Sequence, residues 1–526
     1  MAKQIDGNIK HIVVLMFENR SFDHMLGGMP GVNGVLLPDG TVNPACYNTM
    51  SPTHAPDSIQ NKPVYSTPID LSGQAGLTHD FNHDFGDGMM PDLFGPGTTG
   101  YLDGKPVNAP AVTYPGMNSG FLSTVAYNVN VAEAEALHMP VSAGKDPLQQ
   151  VHPVNGPSSM YFFENGSLKV FHQLASEFVV CDNWYCDMPG HTQPNRCFMH
   201  CATSGNMGID ETNTGMELSK TIFQQIEGMG YDWKMYTPGG WWRDSTFLAG
   251  IVNSPYADVP IDQFCKDLQN GTLPFYSFLM PGLGADPDTS MHPASRVEPG
   301  ENYLAAVYNA LRVSPYWENT LLIVNFDENG GIYDHVMPPQ AATPDPLKPI
   351  SYATNNNGTQ AEFDFSLLGP RIPTLLISPW LFKGIDSTQY QNTSILRYLQ
   401  DLISGSTGLF LNLTQRDAKA PSIVQVFDSL GSVEPRTDCP LNIEGYPGVG
   451  GGNICDADAF TPTPAYLQRP PLPHTLTLAT EYLGGLPGHA DSGKPFPKSF
   501  TTNGELHAYA QERIDAAKAY VLENPV

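Results

Sequence analysis

Two apolar runs in this sequence, Ile12–Phe17 and Leu321–Phe326, are each long enough for one buried strand, and each ends abruptly in polar residues. Ligands of open α/β sheets bind at the carboxyl ends of the strands. If the two strands are neighbours, the polar side chains that follow them lie side by side. Because carboxylate and amide oxygens suit Mg²⁺, Ca²⁺ or Mn²⁺, these residues form a candidate metal site: Glu18, Asn19, Asp327 and Glu328.

A hydroxyl group completes this set in a third stretch of the chain. Thr192 follows the turn-forming pair Pro189-Gly190 at the predicted start of a helix. A hydroxyl at that position indicates a nucleophile elbow or an anion site, or equally an ordinary helix N-cap, which is the commoner case. In the catalytic interpretation, a bound metal ion deprotonates Thr192, which attacks phosphorus and forms a phosphothreonine that water releases. In the alternative interpretation, the carboxylates are helix caps and surface acids.

Three histidines are candidates for binding phosphoryl oxygens or protonating the leaving group. His83 lies in a segment with two histidines and two aspartates, His292 lies in a Met-His-Pro sequence, and His335 follows the second acidic strand end. A single histidine is more often structural than functional. The density of ionisable groups around His83 makes a functional role about as probable as a structural one.

The charge of the chain excludes some classes of partner. The 526 residues contain 26 Lys+Arg against 53 Asp+Glu, a net charge of −27. Such a surface repels nucleic acid and anionic membranes. No stretch approaches 18 apolar residues, so no transmembrane segment is predicted. An acidic protein that handles phosphate must concentrate positive charge locally, and a metal ion is the most economical way to do so.

The termini and the cysteines leave the compartment undecided. No secretory signal is visible in this chain, which leaves a cytoplasmic location or export by another route. The eight cysteines lack the spacing of a zinc knuckle, so we expect buried thiols with one or two disulfides. Cys439–Cys455, which flanks a Gly-rich loop, is the best candidate pair. The oligomeric state is not predicted.

The remaining pattern predicts one large α/β domain with a C-terminal appendage. Helical spacing predicts helices at Ser159–Leu174, Ala132–Leu137 and Glu505–Glu523. We expect a catalytic domain over residues 1–430 and a loop-rich extension with a closing helix over residues 431–526, packed on the same domain.

Four blocks of the sequence resemble the phosphoesterase family, which contains bacterial and plant non-specific phospholipases C and related bacterial acid phosphatases. They occur in the family's order over roughly seven tenths of the chain. The blocks are Glu18-Asn-Arg-Ser-Phe-Asp-His24, Thr192-x-Pro-Asn-Arg196, Asp327-Glu-x-Gly-Gly-x-Tyr-Asp-His335 and Gly369-Pro-Arg-x-Pro373 with Ser378-Pro-Trp380. The resemblance implies the three-layer α/β/α sandwich of the alkaline phosphatase superfamily.

The resemblance also implies roles for individual residues. Thr192 would be the nucleophile, and His83, His292 and His335 would act on phosphate or on the leaving group. One divalent ion (Mg²⁺, Ca²⁺, Mn²⁺ or Zn²⁺) would bind a set of five residues. That set is Glu18, Asn19, Thr192, Asp327 and Glu328. Where many members have histidine after the acidic pair, this chain has Asn329.

The predicted function is therefore a metal-dependent phosphoric ester hydrolase of phospholipase C or acid phosphatase type. Its substrate would be a phosphate ester or a phospholipid, and family members are often secreted. The aromatic pairs Trp241-Trp242 and Phe162-Phe163 are interpreted either as an apolar rim for diacylglycerol or as core. The alternative function is a non-catalytic phosphate-ligand binding or surface protein with the same fold.

Overall fold

A computed structural model of the chain describes most of its length. The described residues are 8–48, 64–69, 160–205, 207, 220–293, 295–345, 350–354, 359–408, 411–471, 479, 482–483, 486 and 500–524. The predicted helix Ala132–Leu137 and the candidate residue His83 lie outside them.

The chain alternates between strands and helices. The strands are β1 (His11–Phe17), β2 (Tyr47–Asn48), β3 (Val64–Tyr65), β4 (Thr67–Ile69), β5 (Tyr161–Phe163), β6 (Val179–Cys181), β7 (Trp184–Tyr185), β8 (Trp233–Thr237), β9 (Val259–Pro260), β10 (Tyr276–Leu279), β11 (Thr320–Phe326), β12 (Ile350–Thr354), β13 (Thr359–Phe363), β14 (Leu375–Ile377), β15 (Gly384–Asp386) and β16 (Tyr390–Gln391). The helices are α1 (Phe22–Leu26), α2 (Lys169–Glu177), α3 (Thr192–Cys201), α4 (Ile222–Gly228), α5 (Asp262–Asn270), α6 (Glu298–Arg312), α7 (Thr393–Thr407), α8 (Gln415–Lys419), α9 (Val424–Leu430), α10 (Pro464–Leu467) and α11 (Asn503–Glu523).

A central sheet of eight strands has the order β15-β6-β14-β11-β1-β10-β8-β9. Strand β14 is antiparallel to both of its neighbours, and the other pairings are parallel. The two apolar runs recognised in the sequence form the adjacent strands β1 and β11, and Phe17 pairs with Phe326 at their carboxyl ends. The predicted strands are therefore neighbours in register, and this brings their polar ends together.

Helices cover both faces of this sheet. Phe171 of α2 packs on Phe326, with ring centroids 6.0 Å apart, and Phe223 of α4 stacks on Tyr276 at 5.5 Å. Phe326 pairs with the last residue of β1 and Tyr276 pairs with its second residue. Because these two positions are an odd number of residues apart and strand side chains alternate, α2 and α4 lie on opposite faces.

The other large helices extend the two layers. Helix α6 packs against α2, where Glu301 accepts a hydrogen bond from the backbone N–H of Phe171 at 2.7 Å, and α5 packs beside α6. Helix α3 joins the α4 face, since the ring of His200 contacts Phe278 of β10 at 4.7 Å, and α7 packs on α3. The chain is an α/β/α sandwich, as the resemblance implies.

One prediction about local structure is wrong, and one open alternative is decided. The predicted helix Ser159–Leu174 contains strand β5, which pairs with β4, and the helix begins only at Lys169. Pairing with a distant segment overrides the local helical pattern here. The aromatic pairs Trp241-Trp242 and Phe162-Phe163 are at most 2% exposed, so they belong to the core and do not form a lipid-binding rim.

The predicted disulfide Cys439–Cys455 is also wrong. Cys455 is bonded to Cys265 of α5, with the Cα atoms 5.4 Å apart, and Cys439 is a buried thiol. The segment that carries both cysteines runs along α6. Arg312, at the end of that helix, donates to the carbonyl of Pro440 at 3.2 Å, and Asn302, near the start of the helix, donates to the carbonyl of Gly450 at 3.1 Å. This extended path carries Cys455 away from Cys439.

The C-terminal part contacts the sheet domain at several points. The amide of Asn302 on α6 donates to the carbonyls of Tyr446, Val449 and Gly450. The ring of Tyr482 stacks on Trp242 at 4.3 Å. The division into residues 1–430 and 431–526 stays a prediction. No helix in the described ranges combines the length and the apolar character needed to cross a membrane.

Candidate active site

The carboxyl ends of β1 and β11 place two of the predicted ligands next to each other. Both Glu18 and Asp327 are fully buried. The chain turns sharply after β1, because Asn19 adopts the left-handed conformation (φ 57°) that asparagine tolerates better than most residues. In this turn the backbone N–H of Asn19 donates to Oδ1 of Asp327 at 2.9 Å. Gly330 lies against the turn, where a Cβ would be 2.3 Å from the Asn19 carbonyl.

Thr192 is the first residue of α3, and its hydroxyl points at this turn. The hydroxyl lies 3.0 Å from Oδ1 of Asn19 and 3.4 Å from Oε2 of Glu18. The N-cap is His191, and its side chain makes no capping hydrogen bond. The N-cap interpretation of Thr192 is therefore wrong. We call Glu18, Asn19, Thr192 and Asp327 the Thr192 site.

The side chain of Asn19 is oriented by His292. Nδ1 of His292 lies 2.8 Å from the carbonyl of Pro293, and Nε2 lies 3.0 Å from Nδ2 of Asn19. Because a carbonyl only accepts, Nδ1 carries the proton and Nε2 accepts from the amide. This directs Oδ1 of Asn19 towards the Thr192 hydroxyl. Arg20 braces the same loop by donating to the carbonyl of Met291 at 2.7 Å.

A buried guanidinium group lies under the two carboxylates. Nη2 of Arg196 donates to Oε1 of Glu18, Nε donates to Oδ2 of Asp327 at 3.1 Å, and Nη1 donates to Oδ2 of Asp244 at 3.0 Å. Burial raises the pKa of Glu18 well above its usual range; Arg196 opposes this shift and the neighbouring Asp327 adds to it. A single guanidinium thus faces three carboxylates here.

Glu328 is close to the Thr192 site but is held differently. Its backbone N–H donates to Oδ1 of Asp327 at 2.8 Å, and its carboxylate accepts from the N–H of Gly330. The contacts described above join the other four predicted ligands to one another. Glu328 directly follows one of them, Asp327, in the chain.

The donor set of this site suits a hard divalent cation. Carboxylate, amide and hydroxyl oxygens converge in a buried region, and these are the ligands that Mg²⁺, Ca²⁺ and Mn²⁺ prefer. The pKa of Glu18 is raised by burial. A cation beside Glu18 would lower this pKa and favour the ionised carboxylate. The residues present fit the metal ion that the sequence predicts.

A second polar cluster lies nearby, around Arg371. Arg371 donates to Oδ1 of Asp23 at 2.9 Å and to Oδ1 of Asp334 at 2.9 Å, and Nδ1 of His335 lies 2.7 Å from Oδ2 of Asp23. Among the described residues, Asp23, Asp334 and His335 are the one group of three acidic, histidine or cysteine side chains with ligand atoms all within 4.8 Å. We call these four residues the Arg371 cluster.

Charges within the Arg371 cluster are already balanced. Burial alone lowers the pKa of His335, but Asp23 and Asp334 outweigh it and the pKa is raised. Burial alone raises the pKa of Asp23, but His335 and Arg371 outweigh it and the pKa is lowered. When His335 is protonated, two cations face the two carboxylates, although burial still raises the pKa of Asp334. His335, predicted to act on the leaving group, belongs to this cluster, and its role stays a prediction.

The sequence interpretation missed Asp244. This residue is fully buried at the start of a 3-10 helix, Asp244–Phe247, and is the third carboxylate bonded to Arg196. Burial alone raises its pKa, but Arg196, His200 and Trp242 lower it to about 2. It does not follow an apolar strand, so no local pattern separates it from the other aspartates.

Known proteins resemble this chain over most of its length. The model of the phosphoesterase family matches residues 9–404. Non-specific phospholipase C6 of Arabidopsis thaliana is 30% identical over 468 residues, which are 84% of this chain and 76% of that protein. Phospholipase C B of Mycobacterium tuberculosis is 29% identical over 409 residues, 71% of this chain and 69% of that protein.

A solved structure of a protein in the alkaline phosphatase superfamily from Vibrio parahaemolyticus aligns weakly, with a TM-score of 0.28 and 18% identity over 44% of this chain and 59% of that one. This likeness is too low to carry a conclusion. The family match covers most of the chain and includes the strand ends that form the Thr192 site. The chain therefore belongs to the phosphoesterase family and is a phosphoric ester hydrolase.

Proposed function

We propose that this hydrolase is metal-dependent, works through a covalent phosphothreonine at Thr192, and acts on phosphodiesters of the phospholipase C class. The observation that carries the proposal is the position of the Thr192 hydroxyl. It lies at the N-terminus of α3, 3.0 Å from Oδ1 of Asn19 and 3.4 Å from Oε2 of Glu18. A buried hydroxyl between two acceptors is placed to lose its proton.

A divalent ion would be held by the predicted ligands. When bound, it would lower the pKa of the threonine hydroxyl and neutralise charge on a phosphoryl oxygen. The ligands are Glu18, Asn19, Thr192, Asp327 and Glu328.

The chain's own groups prepare the attack. Asn19 and Glu18 orient the Thr192 hydroxyl, and the positive end of the α3 helix dipole favours negative charge beside it. Oγ1 of Thr192 forms a bond to phosphorus while the bond from phosphorus to the leaving oxygen breaks. A proton goes to the leaving oxygen, which departs as an alcohol. Water then cleaves the phosphothreonine and restores the hydroxyl.

We assign supporting roles to three histidines. His292 holds Asn19 through its unprotonated Nε2, so it keeps the acceptor of the Thr192 hydroxyl in place. His83 and His335 remain candidates for contacting phosphoryl oxygens and for protonating the leaving group. Each of these roles is open to substitution experiments with histidine replaced by glutamine.

The substrate class rests on the relatives. Proteins whose names specify phospholipase C match 71–84% of this chain. An acid phosphatase would need only the phosphate pocket. Turnover of p-nitrophenyl phosphate against p-nitrophenyl phosphorylcholine separates the two: faster cleavage of the phosphorylcholine ester supports a phosphodiesterase, and faster cleavage of the monoester supports a phosphatase. No turnover of either would favour the non-catalytic alternative.

Trapping the intermediate tests the mechanism. The enzyme is mixed with substrate, quenched in acid and digested, and the peptide that contains Thr192 is examined by mass spectrometry. With p-nitrophenyl phosphorylcholine as substrate we expect a phosphorylcholine adduct on Thr192, and with p-nitrophenyl phosphate a phosphate adduct; both are absent from a control quenched without substrate. An adduct on another side chain would assign the nucleophile elsewhere, and turnover without any adduct would favour direct attack by water.

A further inference from the structure

The position of Arg196 depends on a residue outside the four sequence blocks. Its guanidinium is fully buried and donates to three carboxylates, of which Glu18 and Asp327 belong to the Thr192 site. The third, Asp244, belongs to a different part of the fold. Each nitrogen of the guanidinium thus has one carboxylate partner, and the fork of Arg196 cannot rotate without breaking one of these bonds.

Asp244 is itself held on both oxygens. Nε1 of Trp242 donates to Oδ1 at 2.7 Å, and Nε2 of His200 lies 2.9 Å from Oδ2. Because a carboxylate only accepts, Nε2 of His200 carries a proton. The indole of Trp242 stacks on Tyr482 at 4.3 Å, so a residue beyond position 404, where the family match ends, packs against the support of Asp244.

We propose that Asp244 is a positioning residue for the candidate metal site, acting through Arg196 on Glu18 and Asp327; this inference rests on the proposed function. Asp244 fixes the direction of the guanidinium, and the guanidinium in turn fixes one oxygen of each ligand carboxylate. The second oxygen of each carboxylate is then directed into the Thr192 site. Oε2 of Glu18 faces the Thr192 hydroxyl, and Oδ1 of Asp327 accepts from the Asn19 N–H.

Charge gives a second reason for this arrangement. Without Asp244, the positive charge of Arg196 would be balanced only by Glu18 and Asp327, and it would compete with a metal ion for them. With Asp244 in place, the guanidinium has a carboxylate of its own. Partners one step removed from metal ligands typically change metal affinity about 10-fold to 100-fold when they are lost.

The test compares two buried aspartates. Asp244→Asn keeps the shape of the side chain and removes its charge. The matched control is Asp267→Asn, because Asp267 is also buried and bonded to a cation, Lys234, at 2.6 Å, but is not bonded to Arg196. The full-length protein is stripped of metal, and binding of Mn²⁺ is titrated by electron paramagnetic resonance. Folding is checked by circular dichroism.

We expect Asp244→Asn to weaken Mn²⁺ binding by about 10-fold or more, with activity partly recovered at high Mn²⁺. The control Asp267→Asn should lose stability but keep the Mn²⁺ affinity of the wild type. Equal Mn²⁺ affinity of Asp244→Asn and wild type would overturn the inference. A wild type that binds no Mn²⁺, Mg²⁺ or Ca²⁺ would overturn the proposed function instead.

A milder variant serves if Asp244→Asn does not fold. Trp242→Phe removes the donor to Oδ1 of Asp244 and keeps an aromatic ring against Tyr482. Weaker Mn²⁺ binding in this variant, with partial recovery of activity at high Mn²⁺, supports the inference. Mn²⁺ affinity equal to that of the wild type in a folded Trp242→Phe protein counts against it.

Discussion

The Thr192 site and the Arg371 cluster are two buried polar groups that both depend on residues following β1 and β11. A buried arginine is bonded to the carboxylates of each: Arg196 lies under the Thr192 site, and Arg371 belongs to its own cluster. In the Arg371 cluster, Arg371 and His335 face two carboxylates. Around Arg196, one guanidinium faces three carboxylates, with Glu328 directly after one of them in the chain. The first group is balanced, and the second has an excess of negative charge.

This difference shows that closeness of ligand atoms is a poor guide to a metal site. The compact trio of Asp23, Asp334 and His335 satisfies a distance criterion, but its two carboxylates are already paired with Arg371 and with His335 itself. A cation there would have to displace a bidentate arginine. In the Thr192 site the two carboxylates share one guanidinium, that of Arg196, which is also bonded to Asp244. We therefore expect the Thr192 site to govern activity and the Arg371 cluster to govern stability.

The largest expected effect is that of removing the nucleophile. Thr192→Val keeps the shape of the side chain and removes its hydroxyl, so turnover should fall at least about 10⁴-fold, as for nucleophiles of other hydrolases. Thr192→Ser is the matched control and should retain measurable turnover. Steady-state assays on p-nitrophenyl phosphorylcholine measure both. A Thr192→Val enzyme within a few-fold of wild type would remove Thr192 as nucleophile.

Removal of divalent metal should have the next largest effect. A catalytic ion contributes several kcal/mol to the stabilisation of the transition state, so dialysis against EDTA should lower turnover about 10³-fold. Adding back Mn²⁺, Mg²⁺ or Ca²⁺ one at a time should restore it and identify the ion. Full activity in EDTA, with metal content verified by mass spectrometry, would contradict metal dependence.

Loss of Arg371 should act on stability. Arg371→Met leaves Asp23 and Asp334 buried without their cation, and breaking such a pair typically costs about 3–5 kcal/mol in the free energy of unfolding. Arg296→Met is a suitable control, because Arg296 is exposed and its pair with Glu298 should contribute less than about 1 kcal/mol. Urea denaturation compares the two. A larger effect on Mn²⁺ affinity than on unfolding would reverse the roles assigned to the two regions.

The smallest expected effect is a pH dependence in the Arg371 cluster. The pKa of His335 is raised in the folded protein, so its contribution to stability is complete below pH 6.5 and is lost as the pH rises through the raised pKa. The pKa of Asp23 is lowered, so its contribution is lost in acid, below about pH 3.8.

Urea denaturation of wild type and His335→Gln at several pH values tests this dependence. His335→Gln should cost about 1 kcal/mol near pH 6, the size of one hydrogen bond, and less at alkaline pH. A difference between the two proteins that grows with rising pH would have the wrong sign.

Much of the Thr192 site could be predicted from local sequence. Apolar runs that end in acid and amide indicated Glu18 and Asp327, because ligands of open α/β sheets bind at the carboxyl ends of the strands. The two residues meet only because β1 and β11 are adjacent strands, and neither local pattern shows that adjacency. The role of Thr192 could not be separated from an N-cap by spacing, because both place a hydroxyl at the start of a helix.

The sequence by itself determined the strands, their polar ends, the large negative charge and the membership of a hydrolase family. The tertiary structure alone decided which charges face each other. Asp244 reaches Arg196 from a distant segment, Cys455 bonds to Cys265 and not to Cys439, and Arg371 pairs with both Asp23 and Asp334. These contacts join residues far apart in the chain, and the balance of charge in a buried site depends on such contacts and on burial, neither of which has a local pattern.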